Sequence, residues 1–175
     1  MNIIQTKDLK FQKQIIEQYI RVFSTGQSAQ LIDIVELNHY VHAILTQGYV
    51  VLAIVNDELV GSLLSTPLVF DKELPSEIAV KFKIESCIYI AELMVEEHKR
   101  GMGIGRKLID EFYTQIDKEI YSDVFIRVWE ENKGALRLYE QFGFQSIGSI
   151  IQTKTAVDGF TQYDMKKVYL HKRID

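Results

Sequence analysis

Residues 100–106 read Arg-Gly-Met-Gly-Ile-Gly-Arg and lie between two segments of different periodicity. Residues 86–95 are rich in β-branched and apolar side chains, which is typical of a strand. After the loop, apolar side chains recur on one helical face at Ile104, Leu108, Phe112, Ile116 and Ile120. A glycine-bearing turn that opens a helix presents free backbone N–H groups, and the helix dipole favours an anion there. This stretch therefore predicts a site for a pyrophosphate.

Two familiar nucleotide-binding motifs do not fit this loop. A Walker loop requires Gly-Lys followed by Ser or Thr, whereas Gly105 precedes Arg106. The dinucleotide fingerprint Gly-x-Gly-x-x-Gly requires two residues before its last glycine, whereas only Ile104 separates Gly103 from Gly105. The pattern that fits is R/Q-x-x-G-x-G/A, with Arg100 in its first position.

A second motif occupies residues 132–144, Asn-Lys-Gly-Ala-Leu-Arg-Leu-Tyr-Glu-Gln-Phe-Gly-Phe, and matches N-x-x-A-x-x-L-Y-x-x-x-G-F. Two motifs in this order and structural context are more specific than either alone. Together they resemble the GNAT superfamily of N-acetyltransferases. The resemblance implies an α/β fold with a central, mostly antiparallel sheet that is splayed between its fourth and fifth strands, with helices on both faces.

The resemblance implies that acetyl-CoA is the acyl donor. It also implies that Glu92 is the base for the acceptor amine, directly or through water, and that Tyr139 protonates the departing sulfur. A tyrosine with a pKa near about 10 stays protonated at neutral pH, which suits this role independently. The expected cofactor-binding residues are Met94, Val95, Arg100, Gly101, Met102, Gly103, Ile104, Gly105, Arg106, Asn132 and Tyr139.

Several of these side chains also have a purely structural interpretation. Tyr139 belongs to an apolar helical stripe that can face the core. Glu92 can be a hydrogen-bonded or solvated strand carboxylate instead of a base. Glu130 and Glu131, after the predicted strand 123–129, are further candidates for the base, although a solvated turn explains them too.

Two other kinds of site are less well supported. His39 and His42 are three residues apart on a predicted helix, but no third ligand accompanies them, so we predict no metal. Cys87 has no histidine next to it in sequence and lies at the start of its strand, which argues against an acyl-carrying nucleophile.

The remaining periodicities predict one α/β domain over residues 1–175, with a mixed sheet and helices on both faces. Residues 70–85 show no clear periodicity and are predicted to be irregular. The predicted elements are strand 2–5, helix 11–23 with Asp8 as its cap, helix 31–45 ending near Gly48, strands 49–55 and 59–69 around the turn Asn56-Asp57, strand 86–95, helix 104–120, strand 123–129, helix 132–142 ended by Gly143, and strands 144–151 and 160–169.

Composition restricts the partners. The formal charge is −4, from 20 basic and 24 acidic residues, so we expect no general attraction to nucleic acid or to a membrane. Positive charge is instead local, at Lys99, Arg100, Arg106 and Lys107. One cysteine and no long apolar run predict a cytoplasmic protein.

The predicted function is transfer of an acetyl group to a primary amine of a small molecule, by direct attack in a ternary complex. A catalytically silent acyl-CoA-binding regulatory module is the alternative from another class. Acetylation of a peptide or protein, or transfer of a longer acyl group, is also open. The resemblance is compatible with a homodimer.

Overall fold

The computed structural model describes residues 1–26 and 28–174, which form seven strands and five α-helices. The strands are β1 (Asn2–Gln5), β2 (Tyr49–Val55), β3 (Glu58–Pro67), β4 (Cys87–Val95), β5 (Asp123–Trp129), β6 (Gln145–Thr155) and β7 (Gln162–Arg173). The helices are α1 (Gln12–Phe23), α2 (Ile34–Gln47), α3 (Ser76–Ala79), α4 (Ile104–Gln115) and α5 (Lys133–Gln141). Within this described part of the chain, no helix is long and apolar enough to cross a membrane.

The strands form one mixed sheet in the order β1-β2-β3-β4-β5-β7-β6. The pairs β1–β2, β2–β3 and β5–β7 are antiparallel, and β4–β5 is parallel. The parallel pairing runs from Cys87 opposite Asp123 to Ile90 opposite Ile126, and both strands continue beyond it. The predicted mixed, mostly antiparallel fold is confirmed.

The described residues form two compact units. The first unit comprises Met1–Ser65, Glu92–Gln115 and Lys154–Tyr163, and the second comprises Thr66–Ala91, Ile116–Thr153 and the chain from Asp164 onward. The assignment of residues 1–175 to a single domain stays a prediction.

Strand β3 of the first unit is covered by helices on both faces. A Cβ on Gly61 would lie 2.8 Å from the Ile104 side chain of α4, so glycine allows a close approach on that face. The adjacent residue points to the opposite face, where Ser62 Oγ donates to Gln18 Oε1 of α1 at 2.6 Å. Burial on both faces explains the nearly continuous apolar sequence of β2 and β3.

A predicted hairpin turn and a predicted helix end of the first unit both lie where the sequence places them. Asn56 and Asp57 adopt φ values of 50° and 63°, as a tight hairpin between β2 and β3 requires. Helix α2 ends at Gln47, and Gly48 follows it in an extended conformation. A Cβ on Gly48 would lie 1.9 Å from the Ser65 carbonyl oxygen, so the close approach of the two backbones requires glycine there. Helix α2 begins later than predicted, since Asp33 Oδ1 accepts from the backbone N–H of Val35 at 2.8 Å and so caps the helix.

Helix α4 is shorter than the stripe through Ile120 predicts. It ends at Gln115; Ile116 is buried beyond the helix, whereas Ile120 is 53% exposed. The chain instead turns at Asp117, whose backbone carbonyl accepts from Tyr121 N at 2.8 Å. The predicted C-terminal end of α4 was wrong because the spacing of apolar residues gives no information about a turn that ends the helix.

Residues 70–85, which were predicted to be irregular, belong to the second unit. Hydrogen bonds and an ion pair attach this segment to the sheet. Tyr169 Oη donates to Asp71 Oδ2 at 2.7 Å, and Arg127 Nη1 donates to Tyr169 Oη at 2.9 Å. Arg127 Nη2 also pairs with Glu73 Oε2 at 2.8 Å. Since Tyr169 is fully buried, these bonds satisfy a hydroxyl that burial would otherwise leave costly. The segment also contains the one-turn helix α3, and a 3₁₀ turn begins at Ile84, so the prediction that it is irregular was wrong for these residues.

Candidate active site

The glycine loop before α4 has the backbone geometry of an anion site. Gly101 and Gly103 adopt φ values of 78° and 77°, a left-handed conformation that favours glycine. Lys107 N donates to Gly103 O at 3.1 Å, so the N–H groups of Ile104 and Gly105 precede the first hydrogen bond of the helix. A Cβ built on either Gly101 or Gly103 would meet nothing within 4 Å. The loop therefore offers open space beside backbone donors, which fits a diphosphate.

The side chains of the loop divide into exposed groups and one core residue. Arg100, Met102 and Arg106 are exposed, and Gly105 lies half-buried in the first turn of α4. Ile104 is only 4% exposed, so its backbone alone is placed to meet a ligand. Arg100 Nε donates to the carbonyl oxygen of Val95, the last residue of β4, at 3.2 Å. This bond ties the arginine to the end of the strand.

Glu92 of β4 lies against the helices of the first unit. Tyr40 Oη of α2 donates to Glu92 Oε1 at 3.0 Å, and both side chains are half-buried. Burial, and secondarily the charge of Glu92, raises the pKa of Tyr19 on α1. The carboxylate therefore has aromatic hydroxyl groups around it from both helices.

A second carboxylate, Glu96, follows β4 but is held in an ion pair. Arg21 of α1 donates to Glu96 Oε1 from Nε at 3.1 Å and from Nη2 at 2.8 Å, and Glu96 is 6% exposed. Because a guanidinium neutralises Glu96, Glu92 is the better placed of the two to accept a proton. Sequence reasoning missed Arg21 and Tyr40, since no local pattern links them to β4.

A cavity of about 430 Å³ opens in the first unit between the end of α1 and the 3₁₀ turn Glu97–Lys99. Its lining contains both members of the Arg21–Glu96 pair and one residue of the glycine loop. The lining residues are Arg21, Val22, Thr25, Glu96, Glu97, His98 and Arg100.

In the second unit, α5 carries the predicted residues Asn132 and Tyr139. Asn132 Oδ1 accepts from the backbone N–H of Ala135 at 3.1 Å and so caps the helix. Tyr139 is 4% exposed, and its ring lies 6.0 Å from that of Phe144 in an edge-on contact. Gly143 ends the helix with φ at 84°, as its motif position predicts. Packing thus accounts for the Tyr139 ring, and a role for its hydroxyl stays a prediction.

The other candidates for the base have structural partners, and so does His42. Glu130 Oε2 pairs with Lys166 at 2.9 Å, and Glu131 Oε2 lies 3.5 Å from Lys133 Nζ. His42 Nδ1 lies 3.2 Å from a glutamine oxygen. Across residues 1–26 and 28–174, no three His, Cys, Asp or Glu side chains come together as metal ligands.

Cys87 lies in the second unit with no exposed surface, and its Sγ donates to the Lys83 carbonyl oxygen at 3.3 Å. Burial, then the charges of Asp123 and Glu85, raises the pKa of the thiol to about 12. A thiol with this pKa stays protonated at neutral pH, which argues against an acyl-carrying nucleophile.

We expect Cys87 to resist a disulfide reagent in the folded protein at about pH 8 and to react fully in denaturant, where its pKa returns to about 8.5. Since the unfolded thiol loses its proton first, it should also lower the free energy of unfolding as the pH rises toward 12. Spectrophotometric thiol titration checks the first expectation. Equal labelling rates with and without denaturant would contradict it.

Comparison with known proteins agrees with this geometry. The model of the Acetyltransferase (GNAT) family matches residues 13–144. The chain is 28% identical over 65 residues to the spermine/spermidine N(1)-acetyltransferase of Bacillus subtilis, covering 36% of this chain and 42% of that protein. It is 38% identical over 56 residues to N-alpha-acetyltransferase 30 of Saccharomyces cerevisiae, covering 32% of each. The chain thus spans less than half the length of these two relatives.

A solved structure extends the fold comparison to the whole chain. The YncA protein of Salmonella typhimurium, solved with its cofactor acetyl-CoA, is similar with a TM-score of 0.72 and 15% identity, over 100% of this chain and 95% of that one. At this identity the likeness concerns the fold. The match to the family model is evidence from the sequence itself, and it covers most of the chain and both motifs. The chain therefore belongs to the Acetyltransferase (GNAT) family.

Proposed function

We propose that this protein transfers an acetyl group from acetyl-CoA to a primary amine of a small molecule. The observation that carries the proposal is the loop at residues 101–103, where two left-handed glycines leave open space beside the N-terminal end of α4. Such a loop suits a diphosphate, and Arg100 and Arg106 add positive charge in a chain of net charge −4. Membership of the family supports coenzyme A as the molecule that carries this diphosphate.

In the proposed complex, backbone N–H groups of the loop and first turn of α4 bind the diphosphate, and the backbone of β4 binds the pantetheine arm. Asn132 contributes from the start of α5. The proposed cofactor-binding residues are Met94, Val95, Arg100, Gly101, Met102, Gly103, Ile104, Gly105, Arg106, Asn132 and Tyr139.

The proposed chemistry needs one proton acceptor and one proton donor. Glu92 removes a proton from the amine nitrogen, directly or through water, and the nitrogen lone pair forms a bond to the acetyl carbon. The carbon–sulfur bond breaks, and Tyr139 gives its hydroxyl proton to the departing thiolate. The high pKa of Cys87 supports direct attack over a covalent enzyme intermediate.

The acceptor class is proposed from charge and from the relatives. Glu92 lies on β4 and Glu97 just after it, which favours a cationic amine, whereas Glu96 is neutralised by Arg21. The similarity to a spermine/spermidine acetyltransferase points in the same direction. The similarity to N-alpha-acetyltransferase 30 favours a peptide N-terminus as the second candidate. A cytoplasmic location and a homodimer remain part of the proposal.

We expect spermidine to stimulate release of free coenzyme A from acetyl-CoA, with a kcat/KM that falls as salt rises, because exposed charges are screened beyond about 8 Å at physiological ionic strength. A thiol assay over spermidine, a simple monoamine and a peptide with a free N-terminus measures this. Release with the peptide alone would move the acceptor to the second candidate. Thermal stabilisation by acetyl-CoA without any release would instead indicate a silent binding module.

A further inference from the structure

A hydrogen bond between α2 and β4 joins a tyrosine hydroxyl to the carboxylate of the proposed base. Tyr40 Oη donates to Glu92 Oε1 at 3.0 Å across 52 residues of sequence. Tyr40 lies one helical turn from the buried side chains of Leu37 and Ile44. Since this face of α2 packs in the first unit, the helix holds the position of the phenol ring.

Titratable groups on both α1 and α2 interact with Glu92. Burial, and secondarily the charge of Glu92, raises the pKa of Tyr19 on α1, so its phenol stays protonated. Glu96, just past β4, is paired with Arg21 of α1. Tyr40 is the contribution of α2. The bond that α2 makes to Glu92 thus comes from a neutral donor, whereas Glu96 is held by a cation.

A neutral donor and a cation have different effects on a base. A cation close to a carboxylate lowers its pKa strongly and with it the basicity. A hydroxyl that donates to the ionised carboxylate lowers the pKa less, and it holds the group in one orientation. A phenol with a pKa of about 10 does not surrender its own proton to a carboxylate whose pKa is about 4. The Tyr40 phenol therefore keeps its own proton and acts as a hydrogen-bond donor to Glu92.

We propose that Tyr40 is a positioning residue for acetyl transfer, which keeps the Glu92 carboxylate ionised and correctly oriented to accept the amine proton. This inference rests on the proposed function. It adds a residue of α2 that lies outside both sequence motifs.

The test is the pH dependence of kcat/KM in the variant Tyr40→Phe, which keeps the ring and removes the donor. Without the donor the ionised form of Glu92 is less stable, so its pKa rises. The acid limb of the profile should move to higher pH by about one unit, as expected for one charge-assisted hydrogen bond. Affinity for acetyl-CoA, measured by calorimetry, should not change. In Glu92→Gln this limb should disappear.

Tyr163→Phe is the matched control, because Tyr163 Oη donates to the backbone carbonyl of Ala29 at 2.9 Å. This variant also loses one tyrosine hydrogen bond in the first unit, and it should keep the wild-type pH profile of kcat/KM. Superimposable acid limbs for Tyr40→Phe and wild type would overturn the role of Tyr40 and leave the proposed function intact. An equal shift in Tyr163→Phe would also overturn it, since the effect would then be general.

A second measurement does not depend on turnover. In protein labelled with ¹³C-glutamate, the carboxyl resonance absent from Glu92→Gln identifies Glu92, and its titration should move to higher pH in Tyr40→Phe. An unchanged titration would contradict the hydrogen bond itself. If wild type released no coenzyme A with any amine, the proposed function would fail, and the catalytic role of Tyr40 with it, even with a shifted titration.

Discussion

Replacement of Tyr139 by phenylalanine is expected to lower kcat by about 10²–10⁴-fold while acetyl-CoA still binds, the range typical for loss of a general acid. Protonation of the sulfur assists the departure of coenzyme A. The ring of Tyr139 is 4% exposed and contacts Phe144, and phenylalanine preserves both features. A loss of rate should therefore report on the hydroxyl. Steady-state kinetics and calorimetry with acetyl-CoA measure the two effects separately.

Tyr169→Phe is the control for this prediction. Tyr169 is also a buried tyrosine of the second unit, and its hydroxyl contacts Asp71 and Arg127. Its loss should lower the melting temperature, because two polar partners lose a hydrogen bond, and should leave kcat close to wild type. If Tyr139→Phe kept the wild-type kcat, or lost rate only in proportion to a loss of stability, the acid would have to be another group.

The second large effect is expected from Gly103→Glu, which should raise the dissociation constant for coenzyme A at least about 100-fold. The new side chain would enter the open space beside the helix N-terminus and place negative charge where the diphosphate is proposed to bind. The left-handed φ of 77° adds a cost of about 1–2 kcal/mol for any residue with a Cβ. Isothermal titration with coenzyme A measures the loss.

Gly159→Glu separates strain from ligand exclusion. Gly159 has a φ of 78° and open space around its Cβ position, as Gly103 does, but it lies in the turn between β6 and β7. Its substitution adds the same charge and similar strain and should preserve coenzyme A affinity. Wild-type affinity in Gly103→Glu would remove the loop from the binding site, and the acetyl-transfer proposal would lose its main support.

Features that depend on a few neighbouring residues could be predicted from the sequence. Asn56 and Asp57 tolerate positive φ, so the hairpin between β2 and β3 was predicted where it occurs. Gly143 ends α5 for the same reason, and the spacing of the two motifs identified the family. The loop before α4 belongs to this group, because left-handed glycines and the donors at a helix N-terminus are local properties.

Element boundaries were less predictable where two local preferences compete. Helix α4 was predicted through Ile120 because apolar residues continue at helical spacing, yet the turn at Asp117 follows the end of the helix. The start of α2 was predicted too early, because the spacing of apolar residues does not show that Asp33 caps the helix. Both errors arise because periodicity reports which face is apolar and carries no information about the bonds that end a helix.

The sequence by itself determined the family, the mixed fold, the glycine loop and the candidate acid and base. Only the tertiary structure decided that Arg21 neutralises Glu96 and that Tyr40 donates to Glu92. These partners are 75 and 52 residues apart, so their contacts depend on how α1 and α2 pack on β4. Backbone preferences and periodicity act over a few residues, whereas the environment of a carboxylate is set by whatever side chains packing brings to it.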